Sequence, residues 1–316
     1  MSGIKLAGTG SALPAREVTN FDLEKMVDTS DEWITTRTGI SSRHYCSGEE
    51  THLGLCTAAA RKALESAGVG PEQIGVCLVA SLTQDTLTPS AACVLQKELG
   101  LPEDTVCFDL NAACAGFVYG LHTAQCLLAA CDRKYGLVIG CEVLSRITDF
   151  TDRSTCVLFG DGAGAAVVRW GEDYPSLSAV MGSRGNRQAL MIPGVNTGAP
   201  SYIHMDGKEV FRFAVEVLPR CAKEVAAKAG ISLDEVDHFV FHQANQRILD
   251  FAIKKLKLDP EKCAGNIAHT GNTSAASVPI LLDELARSGQ LHSGQKVLCA
   301  GFGGGLTWAG ALIQLV

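Results

Sequence analysis

Two distant stretches of the chain repeat the same succession of residues, and this repeat limits the fold more than any other feature. Residues 60–81 read ARKALESAGVGPEQIGVCLVAS, and residues 222–243 read AKEVAAKAGISLDEVDHFVFHQ. Each stretch predicts a helix, a short loop and a buried strand. From Ala60 to Val79 the matched positions keep a constant offset of 162. A repeat of this length indicates a duplicated half-domain rather than a short repeating unit.

The repeat continues beyond these strands. Residues 136–142 (GLVIGCE) parallel residues 296–302 (KVLCAGF), and residues 163–170 (AGAAVVRW) parallel residues 309–316 (AGALIQLV). Strands alternate with helices in each half, and this order predicts an α/β fold with mixed or parallel sheets covered by helices.

Glycine, acidic residues and proline interrupt the pattern at residues 171–176. We therefore expect two similar halves, residues 1–172 and 173–316, related by a pseudo-twofold axis. Such an arrangement places equivalent strand ends of the two halves beside one another.

Composition narrows the class of protein. The chain has 316 residues, 47% of them hydrophobic, which suffices for a substantial core. A formal charge of −7 without a basic tract argues against nucleic acid or a membrane surface as a partner. The sequence contains no uncharged apolar run of membrane-spanning length, and its first residues predict a strand rather than a signal peptide.

The thirteen cysteines are scattered, without a CxxC pair or the spacing typical of zinc sites. Most of them lie inside apolar runs. We therefore expect reduced thiols, no bound metal and a cytoplasmic location.

One cysteine occupies a distinctive position. Residues 105–110 predict a short buried strand, and a helical pattern begins at Cys114 with Phe117 and Leu121 on its apolar face. The end of a helix that bears free N–H groups favours a thiolate over a thiol. Small neighbours leave room for an acyl group, so Cys114 is a candidate nucleophile. The alternative is a buried structural cysteine, which is the commoner case.

Two polar residues in the second half lie, like Cys114, at the end of a predicted strand or just before a predicted helix. His242 ends the strand FVFHQ, and Asn272 precedes an apolar helix at residues 275–285. The duplication can therefore bring Cys114, His242 and Asn272 together. A cysteine, a histidine and an asparagine suit acyl transfer, but the same set serves cysteine proteases, so the residue types alone leave both open.

The glycine run GFGGG at residues 301–305 precedes a strand rather than a helix, which argues against a phosphate-binding loop. Its N–H groups can approach a ligand closely. A plain tight turn is the alternative interpretation.

At this point the chain resembles a known family over its whole length. The motifs are TSDEWITTRTGI (29–40), PSAAC (89–93), DLNAACAGF (109–117), FGDGAGA (159–165), HQANQRI (242–248), GNTSAAS (271–277) and GFGGGLTW (301–308). Together they resemble the β-ketoacyl-[acyl-carrier-protein] synthase III family, the condensing enzymes that start type II bacterial fatty-acid synthesis. The resemblance implies a thiolase-like fold of two pseudo-twofold-related halves, with mixed sheets layered between helices.

The resemblance also implies roles for the candidate residues. Cys114 would accept the acyl group, while His242 and Asn272 would hold the malonyl thioester and stabilise its enolate. The N–H groups of Cys114 and Gly304 would form an oxyanion hole, with Phe302 beside them. The reaction joins an acyl-CoA primer to malonyl-[acyl-carrier protein] and implies no metal and no redox cofactor, because loss of CO₂ drives it.

Further contacts come from the same resemblance. Trp33 and Arg153 would stack on the adenine of coenzyme A with Arg37 nearby, on a segment (29–45) that the sequence predicts as a polar loop. Asn245 would bond the pantetheine arm. The acidic acyl carrier protein would dock on Gln243, Ala244, Asn245, Gln246 and Arg247, with Lys254, Lys255 and Lys257 as steering charges.

One departure bears on the primer. Many relatives have phenylalanine before PSAAC, where this chain has Thr88, a position that lines the acyl pocket of the neighbouring subunit in a homodimer. A smaller residue predicts acceptance of primers longer or bulkier than acetyl. Two other interpretations stay open: a related enzyme of secondary metabolism, and a non-catalytic binding protein of the same fold.

Overall fold

The computed structural model describes residues 2–194, 197–198 and 200–316. Its strands are β1 (Gly3–Ala12), β2 (Arg16–Thr19), β3 (Ser42–Tyr45), β4 (Ile74–Ala80), β5 (Val106–Leu110), β6 (Tyr135–Glu142), β7 (Gly162–Gly171), β8 (Ser178–Ser183), β9 (Leu190–Met191), β10 (His204–Met205), β11 (His238–Phe241), β12 (Lys296–Gly303) and β13 (Thr307–Leu315). Its helices are α1 (Asn20–Leu23), α2 (Asp31–Thr38), α3 (His52–Ala67), α4 (Ala91–Leu99), α5 (Gly116–Leu128), α6 (Gly207–Ala229), α7 (Gln246–Leu256), α8 (Ile267–Thr270) and α9 (Ser277–Arg287).

The main sheet has two halves joined at one pair of strands. The first half has the order β5-β4-β6-β7-β1, and the second has the order β11-β12-β13-β8. In each half a parallel pair (β4 with β6, β11 with β12) is followed by an antiparallel pair (β6 with β7, β12 with β13). β1 and β13 join the halves in parallel, with Leu6 opposite Leu315. The mixed sheets expected from the repeat are confirmed.

Helices α5 and α9 lie between the two half-sheets, because each of them contacts strands of both halves. Side chains alternate across the strands accordingly. Leu78 of β4 and Cys299 of β12 belong to the central core with α5 and α9. Their neighbours Cys77 and Leu298 belong to outer cores, under α3 and α4 in one half and under α6 and α7 in the other. The result is five layers, helix–sheet–helix–sheet–helix.

The two copies of the repeat end their helices in the same way. α3 stops at Gly68 and α6 stops at Gly230, and both glycines are left-handed, with φ of 63° and 71°. A single turn of 3-10 helix follows each, at Pro71–Gln73 and Leu233–Glu235, before the strand begins. Because glycine adopts this backbone without a steric penalty, it stops both helices at matching positions.

The strand before Cys114 corrects one prediction. β5 was expected to be buried, but Val106 is 38% exposed and Phe108 is 37% exposed. β5 lies at the edge of the first half-sheet and pairs only with β4 among the described strands. The sequence pattern alone cannot distinguish an apolar edge strand from a buried strand.

The first half-sheet ends with β7 at Gly171, and β8, which begins at Ser178, pairs with β13 of the second half. The expected boundary between residues 172 and 173 lies in this connection. None of the helices in the described ranges has the length and apolar character to cross a membrane.

Candidate active site

Cys114 lies where the first half-sheet meets the central helix layer. β5 ends at Leu110, a 3-10 turn covers Ala113–Ala115, and α5 starts at Gly116. The Asn111 carboxamide oxygen accepts a hydrogen bond from the Ala113 N–H at 3.1 Å, which fixes the turn. Cys114 lines a cavity of about 570 Å³. Nine of its other lining residues have large apolar side chains: Leu82, Leu87, Leu144, Ile147, Phe159, Leu190, Met191, Ile192 and Ile203.

His242 meets Cys114 across a glycine. It follows β11 directly, and its N–H donates to the Ala300 carbonyl at 2.8 Å, so the backbone still runs alongside β12. A Cβ placed on Gly301 would lie 3.2 Å from the Cys114 carbonyl oxygen and 3.5 Å from the His242 Cβ. The ring of Phe302 contacts the imidazole edge-on, with 5.5 Å between centroids.

Asn272 reaches the site through Ser274. The Asn272 N–H donates to the Leu158 carbonyl at 2.9 Å, and its side-chain oxygen accepts from the Ser274 N–H at 2.9 Å. Ser274 lines the same cavity as Cys114, and its hydroxyl acts to lower the pKa of the thiol. With its oxygen occupied, the Asn272 carboxamide offers its Nδ2 donor to a ligand. Cys114 therefore lines the cavity itself, while Asn272 reaches it through Ser274 and His242 lies next to Cys114 at Gly301.

Burial dominates the electrostatics of the site. The Cys114 thiol is surrounded by protein although part of the residue faces the cavity, and burial raises its pKa to about 12 against the hydrogen bond from Ser274. Burial therefore outweighs the helix-end effect that favours a thiolate. A helix end contributes roughly 0.3–1 kcal/mol, which is less than one pKa unit at about 1.4 kcal/mol.

The imidazole of His242 is also neutral. Burial lowers its pKa to about 3, and its Nδ1 has no hydrogen-bond partner among the described residues. A neutral imidazole with one free nitrogen can donate a hydrogen bond from the other nitrogen. It is poorly suited to remove a proton from a thiol at neutral pH.

The glycine run forms a turn, and it also approaches the backbone of Cys114 closely. It closes the hairpin between β12 and β13, and the Thr307 hydroxyl ties it to the Ala112 carbonyl at 2.8 Å. A Cβ on Gly303 would lie 2.6 Å from the Cys114 nitrogen, so only glycine fits there. Gly304 lines the cavity beside Cys114, as the oxyanion assignment requires.

The three side chains assigned to the adenine end of coenzyme A lie together. The guanidinium carbons of Arg37 and Arg153 stand 4.9 Å and 5.1 Å from the ring centroid of Trp33. Their segment corrects the polar-loop prediction, because residues 31–38 form α2. The caps were the missed signal: the Ser30 hydroxyl accepts from the Trp33 N–H, and Gly39 ends the helix with φ of 79°.

The residues assigned to the carrier protein divide into two groups. Gln243 is fully buried, and its carboxamide bonds the Phe241 carbonyl and the N–H groups of Asn266 and Ile267, so its assignment to a docking surface is wrong. Ala244 packs against the outer core of the second half.

Asn245 caps α7 through the Arg247 N–H and donates to the Arg37 carbonyl at 3.1 Å. The side chain of Gln246 bonds Asp250 of the same helix. Arg247, Lys254, Lys255 and Lys257 are exposed. Thr88 is exposed and stands outside the cavity lining of its own chain, whereas its neighbour Leu87 belongs to that lining.

Sequence reasoning missed Ser274 and Glu142. The Ser274 hydroxyl donates to the Glu142 carboxylate at 3.2 Å, and Glu142 is fully buried at the end of β6. The sequence contains a signal for Glu142, because it ends an apolar strand. An acidic residue is rarely buried in such a place unless it has a partner.

Comparisons with known proteins decide the family. Two family models match: 3-oxoacyl-[acyl-carrier-protein] synthase III at residues 108–185 and its C-terminal counterpart at residues 226–315. The β-ketoacyl-[acyl-carrier-protein] synthase III of Clostridium acetobutylicum is 43% identical over 324 residues, covering 99% of both chains. A protein of the same name from Neisseria meningitidis is 44% identical and covers 99% of this chain and 100% of its own. The chain belongs to the synthase III family.

Solved structures agree with the family assignment. The enzyme of Aquifex aeolicus superposes with a TM-score of 0.93 at 44% identity, covering 99% of this chain and 100% of that one. A priming β-ketosynthase from the R1128 polyketide pathway gives a TM-score of 0.94 at 38% identity, covering 99% and 96%. The predicted synthase III family and its thiolase-like fold are confirmed.

The contact between Gly303 and Cys114 predicts the effect of a single added methyl group. In a Gly303→Ala variant the new Cβ would press on the Cys114 nitrogen and move the nucleophile. A displacement of about 1 Å costs on the order of 10²-fold in rate. We expect alkylation of Cys114 by iodoacetamide, read by peptide mass spectrometry, to slow by that order. The control is Gly207→Ala, because a Cβ there meets nothing within 4 Å. Equal alkylation rates in both variants would contradict the close approach.

Proposed function

We propose that the chain condenses an acyl-CoA primer with malonyl-[acyl-carrier protein], giving 3-oxoacyl-[acyl-carrier protein], coenzyme A and CO₂, and so starts fatty-acid synthesis. One observation carries the proposal: Cys114 opens into an apolar cavity, and the other half of the chain brings His242 beside the same glycine, Gly301, and Asn272 onto Ser274 of the cavity wall. Family membership supports the same reaction.

In the first step the Cys114 sulfur attacks the thioester carbonyl of the primer. The carbonyl oxygen becomes an oxyanion, which the N–H groups of Cys114 and Gly304 stabilise. The C–S bond to coenzyme A then breaks, its electron pair stays on the departing sulfur, and the acyl group remains on Cys114. The aliphatic wall of the cavity holds the acyl chain.

In the second step the malonyl thioester loses CO₂. The electron pair of the broken C–C bond becomes an enolate, whose oxygen accepts hydrogen bonds from His242 and from the Asn272 Nδ2. The low pKa of His242 keeps it a neutral donor throughout the physiological range. The enolate carbon attacks the acyl-cysteine, a C–C bond forms, and Cys114 leaves as a thiolate that regains its proton. The decarboxylation supplies the driving force, so we propose that no metal or redox cofactor takes part.

A panel of acyl-CoA primers tests the acylation step. We expect acetyl-, isobutyryl- and octanoyl-CoA each to leave its acyl group on the Cys114 peptide in chelator-treated buffer, read by intact-mass and peptide mass spectrometry. The two larger primers should react at least as fast as acetyl, because Thr88 replaces a larger aromatic residue. A Cys114→Ala variant should take no label. Label on another cysteine would contradict the nucleophile, and a strict acetyl preference would contradict the role of Thr88.

We further propose that the acyl carrier protein docks on the exposed basic face of α7. Arg247 stands 5.8 Å from the ring centroid of Phe211, and Lys254 lies about two turns further along the same helix. Exposed cations steer an acidic partner and mainly change the association rate. Asn245 connects this face to the substrate entrance through its bond to the Arg37 carbonyl.

Charge reversal tests this docking face. An Arg247→Glu variant should raise the KM for malonyl-[acyl-carrier protein] about tenfold at low salt, while acylation of Cys114 by acyl-CoA stays unchanged. The control is Lys223→Glu, an exposed lysine about three turns beyond Phe211 on α6. If both variants raise the KM equally, the increase comes from the change in the overall charge of the protein, and α7 is not the docking face.

We also propose that two copies pair through the edge strand β5. Val106 and Phe108 are exposed there, and an unpaired apolar edge is a template for another strand. The same contact would bring Thr88 of one copy toward its partner's cavity, as the resemblance implies.

Sedimentation tests this pairing. The wild-type chain should run as a dimer, and a Phe108→Asp variant should shift toward monomer because a charge enters the apolar edge. Phe251→Asp, at an equally exposed site on α7, should remain dimeric. A monomeric wild-type chain would overturn the proposal.

The R1128 structure favours one alternative, a priming role in polyketide synthesis. The residues around Cys114 suit both roles, so the carrier protein that the chain accepts as substrate distinguishes the two roles. Turnover with the carrier protein of fatty-acid synthesis supports the proposal above, and turnover only with a dedicated polyketide carrier favours the alternative. The cytoplasmic location stays a prediction, which cell fractionation tests.

A further inference from the structure

Glu142 is a fully buried carboxyl group beside the active site, and the mechanism above gives it no role. Its Oε2 accepts hydrogen bonds from the Thr83 hydroxyl at 2.5 Å, the Leu82 N–H at 3.2 Å and the Ser81 hydroxyl at 3.3 Å. Its other oxygen, Oε1, accepts one from the Ser274 hydroxyl at 3.2 Å. One oxygen is therefore held by the loop after β4, and the other faces the active site.

Ser274 joins this carboxyl group to the chemistry. Its hydroxyl donates to Glu142 and acts on the pKa of the Cys114 thiol in the same cavity wall, while its N–H holds the oxygen of Asn272. A hydroxyl has one proton and can accept as well as donate. When Glu142 is ionised, the hydroxyl donates to the carboxylate and can accept the thiol proton. When Glu142 is protonated, the hydroxyl is free to donate to a thiolate.

The site lacks another good proton acceptor for the thiol. His242 is buried with a pKa of about 3, so it gains a proton only in strong acid. Burial raises the pKa of Glu142 to about 7, against the hydrogen bonds from Thr83 and Leu82. Near neutral pH this carboxyl group can both take up and release a proton, which suits a general base.

Three other titratable groups of the described chain interact electrostatically with Glu142. Cys114 comes from the turn before α5, His52 from α3 and Cys141 from β6 itself. His52 is linked through Ser81, whose hydroxyl lies 2.9 Å from the imidazole Nε2. Burial works to lower the pKa of His52, but Cys56, Glu142 and Asp85 together raise it to about 9. Burial raises the pKa of Cys141 far above the usual range for a thiol.

We propose that Glu142 takes the proton of the Cys114 thiol through the Ser274 hydroxyl during acylation and returns it to the departing coenzyme A. The S–H bond of Cys114 breaks as its sulfur bonds the acyl carbon, and Ser274 passes one proton on to Glu142. When the C–S bond to coenzyme A breaks, its electron pair stays on that sulfur, which takes the proton back along the same path. The inference rests on the proposed acylation by acyl-CoA.

The relay predicts a specific pH dependence. Only ionised Glu142 can accept the proton, so the acylation rate of the wild-type chain should rise with pH through about 7. In a Glu142→Gln variant this inflection should vanish, and the rate near neutral pH should fall by on the order of 10²-fold. Activity should return only at high pH, where the thiol ionises directly. Rapid-quench mass spectrometry of the Cys114 peptide, at saturating acyl-CoA across the pH range, measures this.

Two further variants separate a relay from a merely structural role. Ser274→Gly removes the bridging hydroxyl at a residue whose φ is 51°, a backbone that suits glycine, and it should lose the same inflection. Thr83→Val removes a hydrogen bond that favours the ionised carboxylate, so its inflection should move to higher pH rather than vanish. Decarboxylation of malonyl-CoA by Glu142→Gln should stay within about twofold of wild type, because that step uses His242 and Asn272.

Several results would overturn the relay. An inflection near pH 7 that survives in Glu142→Gln belongs to another group, and His52 is the first candidate. An equal loss of acylation and decarboxylation at all pH values indicates a structural role only. If Glu142→Gln fails to fold, as judged by its thermal transition, the Ser274→Gly profile decides alone. A wild-type chain that is never acylated defeats the proposed function itself, so the two failures are distinguishable.

Discussion

The active site depends on how closely the end of β12 approaches the backbone of Cys114. Gly301 and Gly303 approach Cys114 from the opposite half of the chain, and at Gly303 no side chain fits in the gap. This contact brings His242 next to the Cys114 residue and places Gly304 at the cavity wall. Because protein interiors are close-packed, a contact this short fixes the two halves relative to one another.

The burial that makes this contact possible also sets the chemistry. Surrounding Cys114 and His242 with protein raises the pKa of the thiol and lowers that of the imidazole, so both rest uncharged. An uncharged pair needs no counter-ion in the core, and this agrees with a central layer built from apolar helices. The same burial means that charge develops only during the reaction, next to donors that are already in place.

Sequence reasoning predicted what depends on local pattern and on duplication. The repeat predicted two matched halves, and the strand ends predicted that Cys114, His242 and Asn272 meet. It failed where the answer depends on what packs against a segment. Gln243 is polar and lies in one of the motifs that carry the family resemblance, yet its carboxamide hydrogen-bonds backbone groups of the core. The apolar pattern of β5 did not reveal its place at an edge, and local helix-end reasoning could not weigh the desolvation of Cys114.

The matched strand ends of the two halves have come to serve one centre in different ways. After β11 the chain supplies His242, which lies beside Gly301, whereas after β4 it supplies Ser81 and Thr83, which hydrogen-bond the buried carboxyl group of Glu142. One position of the repeat therefore carries a histidine next to the glycine run in one half and the rear support of a buried acid in the other.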